Sequence, residues 1–248
     1  MKFRLRHLAI VQSKAALAAL PPGKCLICTI NAHSYNVARA DTAFAEALCR
    51  CDALIADGIS IVKACRWIGA KSQPTERCAG WDLFVSEMQR LEASATPSAR
   101  KKVMFVGSSE QVLGRIKEHA ARDYPDLDVV TLSPPYAKTF TPQENAAIVA
   151  AINAANPDLL WIGMTAPKQE KWAQINWPSL SIHCHCGCIG AVFDFYAGTM
   201  KRAPLWWQRH GLEWLYRLLR EPRRMWRRYL VGNALFIGHI IGEKFTRQ

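Results

Sequence analysis

Asp57 and Gly58 follow the apolar run ALIA (53–56) and precede the apolar stretch IVKACRWI, so a carboxylate falls where a strand ends and a helix begins. A general base has two needs: reach to a substrate hydroxyl, and enough burial to lift its pKa toward neutrality. The position suits that role, and it also suits a plain helix N-cap with Ser60 nearby. Other strand ends add polar groups. Asn31 follows the run 24–30, Gly107-Ser108-Ser109 closes 102–107, Met164-Thr165 follows 158–163, and Gly187 ends the run near 185. Ligands of open α/β sheets bind beyond the carboxyl ends of the strands, so these positions are expected to cluster. Gly107 and Ser108 would cradle a phosphate or a ribose at a helix N-terminus, or form an ordinary turn.

The segment TAPKQEKW (165–172) places Lys168, Gln169 and Glu170 at a helix start. Lys168 would meet a phosphate and Gln169 a sugar hydroxyl; a solvated helix start is the plainer alternative. His183, Cys184, His185, Cys186 and Cys188 invite a metal reading. Strand alternation sends the histidines to one side and Cys184 and Cys186 to the other, and Cys25-x-x-Cys28 also lies within a strand, so no metal site is expected. The chain has no complete G-x-G-x-x-G and no G-x-x-x-x-G-K-[ST], which argues against a nicotinamide site or a P-loop, and no cofactor is expected.

These groups need a scaffold. The chain has 248 residues, half of them hydrophobic, enough for one large α/β domain or two small ones. Strand-like runs at 24–30, 53–56, 102–107, 127–132, 158–163 and 181–186 alternate with amphipathic stretches at 34–50, 109–122 and 142–154. That alternation predicts a Rossmann-like parallel sheet with helices on both faces. Ala93–Ala99 (ASATPSA) reads as a connector between two halves of the sheet. Near the start, LAIVQSKAALAAL is broken by Gln12, Ser13 and Lys14, a poor signal peptide, and reads as a short strand and a short helix. Nine cysteines, an odd number mostly in apolar runs, fit free thiols in a reducing cytoplasm. No transmembrane helix is expected.

After Gly198 the character changes. Residues 201–248 hold 11 Lys/Arg against 3 Asp/Glu, most of the formal net charge of +12. Pro204 and Pro222 are placed to open helices. We therefore divide the chain into a catalytic domain (1–200) and a basic, Trp-rich helical appendage (201–248). The tail's charge asks for an anionic partner. Trp206, Trp207, Trp214, Tyr216 and Trp226 suit a lipid headgroup boundary, and 229–242 is long enough to lie in an interface but not to span it. A helix pair packed on the domain is the alternative. A basic-tailed membrane- or nucleic-acid-binding protein without catalysis is the rival from another class, and the tail's apolar content speaks against nucleic acid.

Several segments together resemble the WecG/TagA/CpsF glycosyltransferases (glycosyltransferase family 26): NAHSYNVARAD, ADGISIV, ERCAGWDLF, FVGSSEQVL, PDLLWIGMTAPKQEKW, GAVFDFYAGTMKRAP and GLEWLYRLLREPRR, covering roughly residues 25–228. The resemblance implies a Rossmann-like fold of the GT-E type. It also implies inverting transfer, without an obligatory metal, from a UDP-sugar to a polyprenyl-diphosphate-linked sugar in cell-surface polysaccharide synthesis, at the cytoplasmic face of the membrane. By motif, Asp57 resembles the base proposed for the family, and Asn31 lies at the edge of its donor site. Arg77 and Gln169 resemble donor or acceptor contacts, and Arg202, Arg217, Arg223 and Arg224 resemble tail arginines that engage the diphosphate. The sequence departs from the family at His33, where many members have Glu, and at Gly187-Cys188-Ile189-Gly190, where many have G-V-G-G. The donor sugar (N-acetylmannosamine, its uronic acid, or glucose) and the oligomeric state, a homo-oligomer included, stay open.

Overall fold

The computed structural model describes residues 3–246. Among them, six strands form one parallel sheet: β1 (Cys25–Ile30), β2 (Ala53–Ala56), β3 (Lys101–Gly107), β4 (Leu127–Leu132), β5 (Leu159–Gly163) and β6 (His185–Cys188), in the order β2-β1-β6-β5-β3-β4. The inner strands are apolar on both faces, so both must be covered. One face carries α1 (Ala32–Ala40), α2 (Thr42–Arg50) and α3 (Ile59–Ile68), with buried Tyr35, Phe44 and Val62. The other carries α4 (Gly80–Ser94) and α5 (Glu110–Asp123), with Phe84, Met88 and Leu113. Of the later helices, α6 (Pro142–Ala155) and α7 (Lys168–Asn176) return to the first face through Ile152 and Trp172. α8 (Gly190–Tyr196) joins the second through Phe193. The helices after β1 and β6, neighbours in the sheet, thus leave to opposite faces, and a crevice opens between these two strand ends.

Three local expectations change. The stretch 34–50 is two helices, because Asp41 accepts the Phe44 N–H at 3.0 Å and caps a new start. Among the described residues before β1, no strand forms. The segment joins the edge of β2 through one bond, Val11 N–H to Leu54 O (2.9 Å), and short 3₁₀ turns at Leu5–His7 and Ala15–Ala19 bury Leu5 and Leu17. The last strand begins at His185, not 181. Its register sets Cys25 against His185 and Ile27 against Gly187, where the missing side chain admits the Trp161 ring.

Beyond Gly198 the chain makes α9 (Leu205–Arg209), α10 (Glu213–Arg220), α11 (Pro222–Trp226), a π-helical turn (Arg227–Val231) and α12 (Gly232–Phe245). Pro204 and Pro222 stand at the openings of α9 and α11. α12 packs on α1 and α3 and adds Phe236 and Ile240 to the first core. Glu243 anchors it. This 5% exposed carboxylate accepts the N–H groups of Leu5 (2.9 Å) and Arg6 (3.1 Å) and the Tyr35 hydroxyl, with Arg39 at 3.9 Å.

Candidate active site

Asp57 leaves the end of β2 held by its own N–H, which donates to Ile30 O at 2.9 Å. Its carboxylate is half-buried and accepts hydrogen bonds from the Gly80 N–H, at the start of α4, and from the Asn31 side chain. Burial is the main reason its pKa rises to about 6; Glu213 adds to the rise, while Arg77 and the two hydrogen bonds oppose it. A carboxylate with these properties is ionised at neutral pH, yet basic enough to take a proton from a hydroxyl. Asn31 has a second task. Its Oδ1 accepts the Ser34 N–H at 3.0 Å, and Ser34 Oγ accepts the Asn31 N–H at 2.8 Å, a reciprocal cap that starts α1.

Around Asp57 the charges come from both parts of the chain. Arg77 is ion-paired to Glu213 on α10, and the other Glu213 oxygen lies 3.4 Å from Arg202. Arg202 in turn lies over the Trp81 ring, 5.2 Å from its centroid. Arg217 donates to Met200 Sδ (3.4 Å) and lies 5.7 Å from the Phe195 ring. Arg228, on the π-helical turn, interacts electrostatically with Asp57, Arg217 and Arg224, and its Nε is buried with no hydrogen-bond partner. Burial and Arg228 together lower the pKa of His33 to about 4, so the imidazole is neutral at physiological pH.

Of the residues singled out by sequence, Asp57, Asn31, Arg77 and Arg202 come together, with Arg217 beside Arg228. Arg223 and Arg224 are exposed, and Arg224 pairs with Glu221 at 2.8 Å. Lys168 points elsewhere: its Nζ donates to Ala137 O (2.6 Å) and lies 3.7 Å from the Phe140 ring centroid. Gln169 is buried; its Nε2 donates to Glu170 Oε1 (2.8 Å) and its Oε1 accepts the Gly190 N–H (3.2 Å), so it props the start of α8 beside the crevice. Glu170 is buried with Oε2 unpartnered, and desolvation lifts its pKa to about 7.

Gly107 and Ser108 both take positive φ (123° and 59°), and a Cβ at Gly107 would lie 2.4 Å from Gly163 O. Four strand spacings separate β3 from β2, so this turn lies about 19 Å from Asp57. It can serve only a distant part of a long ligand. His185, on β6, is a structural group. Its Nδ1 meets Glu87 at 2.8 Å and its Nε2 meets Pro21 O at 2.9 Å, while Cys186 turns into the opposite core.

Sequence reasoning missed Glu213 and Arg228. Glu213 was visible inside GLEWLYRL, yet its value lies in pairing with Arg77, far away in the chain. Arg228 is one of several arginines, and only the π-helical turn selects it.

The profile of the Glycosyl transferase WecG/TagA/CpsF family matches residues 4–248. A similar protein is the N-acetylglucosaminyldiphosphoundecaprenol N-acetyl-beta-D-mannosaminyltransferase of Bacillus spizizenii (strain ATCC 23059 / NRRL B-14472 / W23), 32% identical over 179 residues. The alignment covers 72% of this chain and 64% of that protein, so the chain spans a little under two thirds of its relative's length.

Proposed function

Because this chain belongs to the WecG/TagA/CpsF glycosyltransferase family, we propose that it moves a sugar from a UDP-sugar to a polyprenyl-diphosphate-linked sugar, with inversion. The observation that carries this reading is Asp57: a half-buried carboxylate with its pKa raised to about 6, at the crevice edge and facing arginines from two parts of the chain. Asp57 takes the proton of an acceptor hydroxyl as that oxygen bonds to the anomeric carbon. The bond from that carbon to the donor phosphate breaks, and UDP leaves with the electron pair. Arg77 and Arg228, the two arginines that interact with Asp57, stabilise the departing charge, since guanidinium pairs strongly with phosphate oxygens. The relative's name favours an N-acetylmannosamine donor and an N-acetylglucosamine-diphosphoprenol acceptor. We assign the product to cell-surface polysaccharide assembly.

The tail supports work at a membrane surface. Leu205, Trp206, Leu219, Trp226 and Leu235 are exposed apolar groups among basic ones, which suits a headgroup layer. Among the described residues, no helix is long and apolar enough to cross a membrane. We propose peripheral attachment at the cytoplasmic face. The deciding experiment offers a panel of UDP-sugars with a short-chain prenyl-diphosphate N-acetylglucosamine acceptor. Product from UDP-N-acetylmannosamine is expected; no transfer from any UDP-sugar would overturn the reading.

A further inference from the structure

A cleft of about 690 Å³ lies on the second face, between α4 and the ends of α5 and α8. Five aromatic rings line it: Trp81 and Phe84 (centroids 5.7 Å apart), Tyr196 (4.8 Å from Phe84), Tyr124 (6.5 Å from Tyr196) and Phe195, with Phe84 and Tyr196 buried beneath the others. It follows α4 from Trp81 to Ala93, about 18 Å of helix. Trp81 and Phe195 are half-buried, so water meets apolar surface that the fold leaves uncovered.

The cleft joins the candidate active site at one end. Gly80, which donates its N–H to Asp57, immediately precedes Trp81. Two of the site's arginines stand over the cleft's rings there: Arg202 over Trp81 and Arg217 over Phe195. A ligand suited to this arrangement carries a phosphate group at the mouth and an apolar chain inside. The far end is polar, with Glu92 and the Arg122–Asp123 ion pair, where a chain would emerge.

We propose that this cleft holds the first isoprene units of the lipid-linked acceptor, while Arg202 and Arg217 hold its diphosphate. The proposal rests on the acceptor class argued above. It adds that the protein reads the lipid chain itself, and not only the sugar and the diphosphate. Chain binding of this kind lowers the acceptor KM with each added unit until the cleft is filled, and leaves kcat nearly unchanged.

The test is calorimetric titration of the full-length protein with farnesyl diphosphate and with inorganic diphosphate. The expected result is at least tenfold tighter binding of farnesyl diphosphate, with the negative heat-capacity change of apolar burial. Val85→Trp narrows the cleft and should remove that advantage while inorganic diphosphate still binds. Ala93→Trp, on the exposed end of α4, should weaken farnesyl diphosphate more than geranyl diphosphate. Equal affinity for the two ligands in the wild type, or an advantage that survives both variants, would overturn the proposal. So would a change in the self-association of Val85→Trp without a change in prenyl binding, since the cleft would then be a contact between copies. If neither ligand binds, the diphosphate reading of the arginines fails, and the cleft assignment falls with it.

Discussion

Arg77, in the loop before α4, is ion-paired to Glu213 on α10, and the same carboxylate reaches Arg202 at 3.4 Å. One side chain therefore ties the sheet edge to the tail and sets where two arginines point. Glu213→Gln keeps the shape and removes the charge. The expected effect is a 10- to 100-fold fall in kcat/KM with the far-UV spectrum unchanged. Unaltered kinetics would show that the clamp has no part in orienting the site.

Asp57→Asn should lower turnover by about 10²–10⁴-fold, the range for loss of a positioned base, while UDP-sugar binding persists. In the wild type, kcat/KM should rise with pH through an apparent pKa near 6 as Asp57 ionises. A flat profile between pH 5 and 7.5 would remove Asp57 from the base role.

The same substitution should make the protein more stable. Folded Asp57 keeps its proton up to about pH 6, whereas its ordinary value is 3.8. The folded state therefore binds more protons between these values, and stability falls as pH rises through that window. Asparagine escapes the penalty, so Asp57→Asn should gain roughly 1–2 kcal/mol above pH 6, after allowance for partial exposure, and little at pH 4. Thermal melts at the two pH values measure the difference.

Arg228→Ala should raise the donor KM or lower kcat by about 10- to 100-fold, the worth of a charge-assisted hydrogen bond in a partly dry site. Arg223→Ala, at an exposed position on α11, should change transfer to a water-soluble acceptor less than threefold. Steady-state kinetics of the pair separates an arginine turned into the site from one that faces solvent.

Glu243→Ala removes the acceptor for the Leu5 and Arg6 N–H groups and the Tyr35 hydroxyl. The loss should cost about 3 kcal/mol and lower Tm by roughly 6–12 °C. Proteolysis should then release α12 first. A truncation that removes α12 together with the tail should suffer more, because it also uncovers the bed under Phe236 and Ile240.

The sheet was legible because its strands are short apolar runs set between amphipathic stretches. Helix starts were legible where a proline opens one, as at Pro204 and Pro222. Asp57 and Asn31 could be found because strand ends in such a sheet converge. The rest depends on long-range contact. Nothing in the pattern of 34–50 shows that Asp41 will cap a second helix, and an apolar run such as SIHCHC does not tell where pairing begins. Nor does the apolar pattern of 229–242 distinguish a helix facing lipid from one that covers Tyr35. In the structure α12 does the second with Phe236 and Ile240, while Leu235, Ile237 and Ile241 remain exposed.

The bond between Leu5 and Glu243 has a consequence for how the protein is made. Leu5 is synthesised long before Glu243, so its N–H has no Glu243 acceptor until α12 leaves the ribosome. The nascent chain therefore carries an unfinished first face until α12 is made, and closing it is a step of high contact order. The arginines of the tail are set against Asp57 only in that same stage. A chain made only as far as Gly198 would thus hold all six strands but no assembled site, so activity waits for α10 and the π-helical turn that follow.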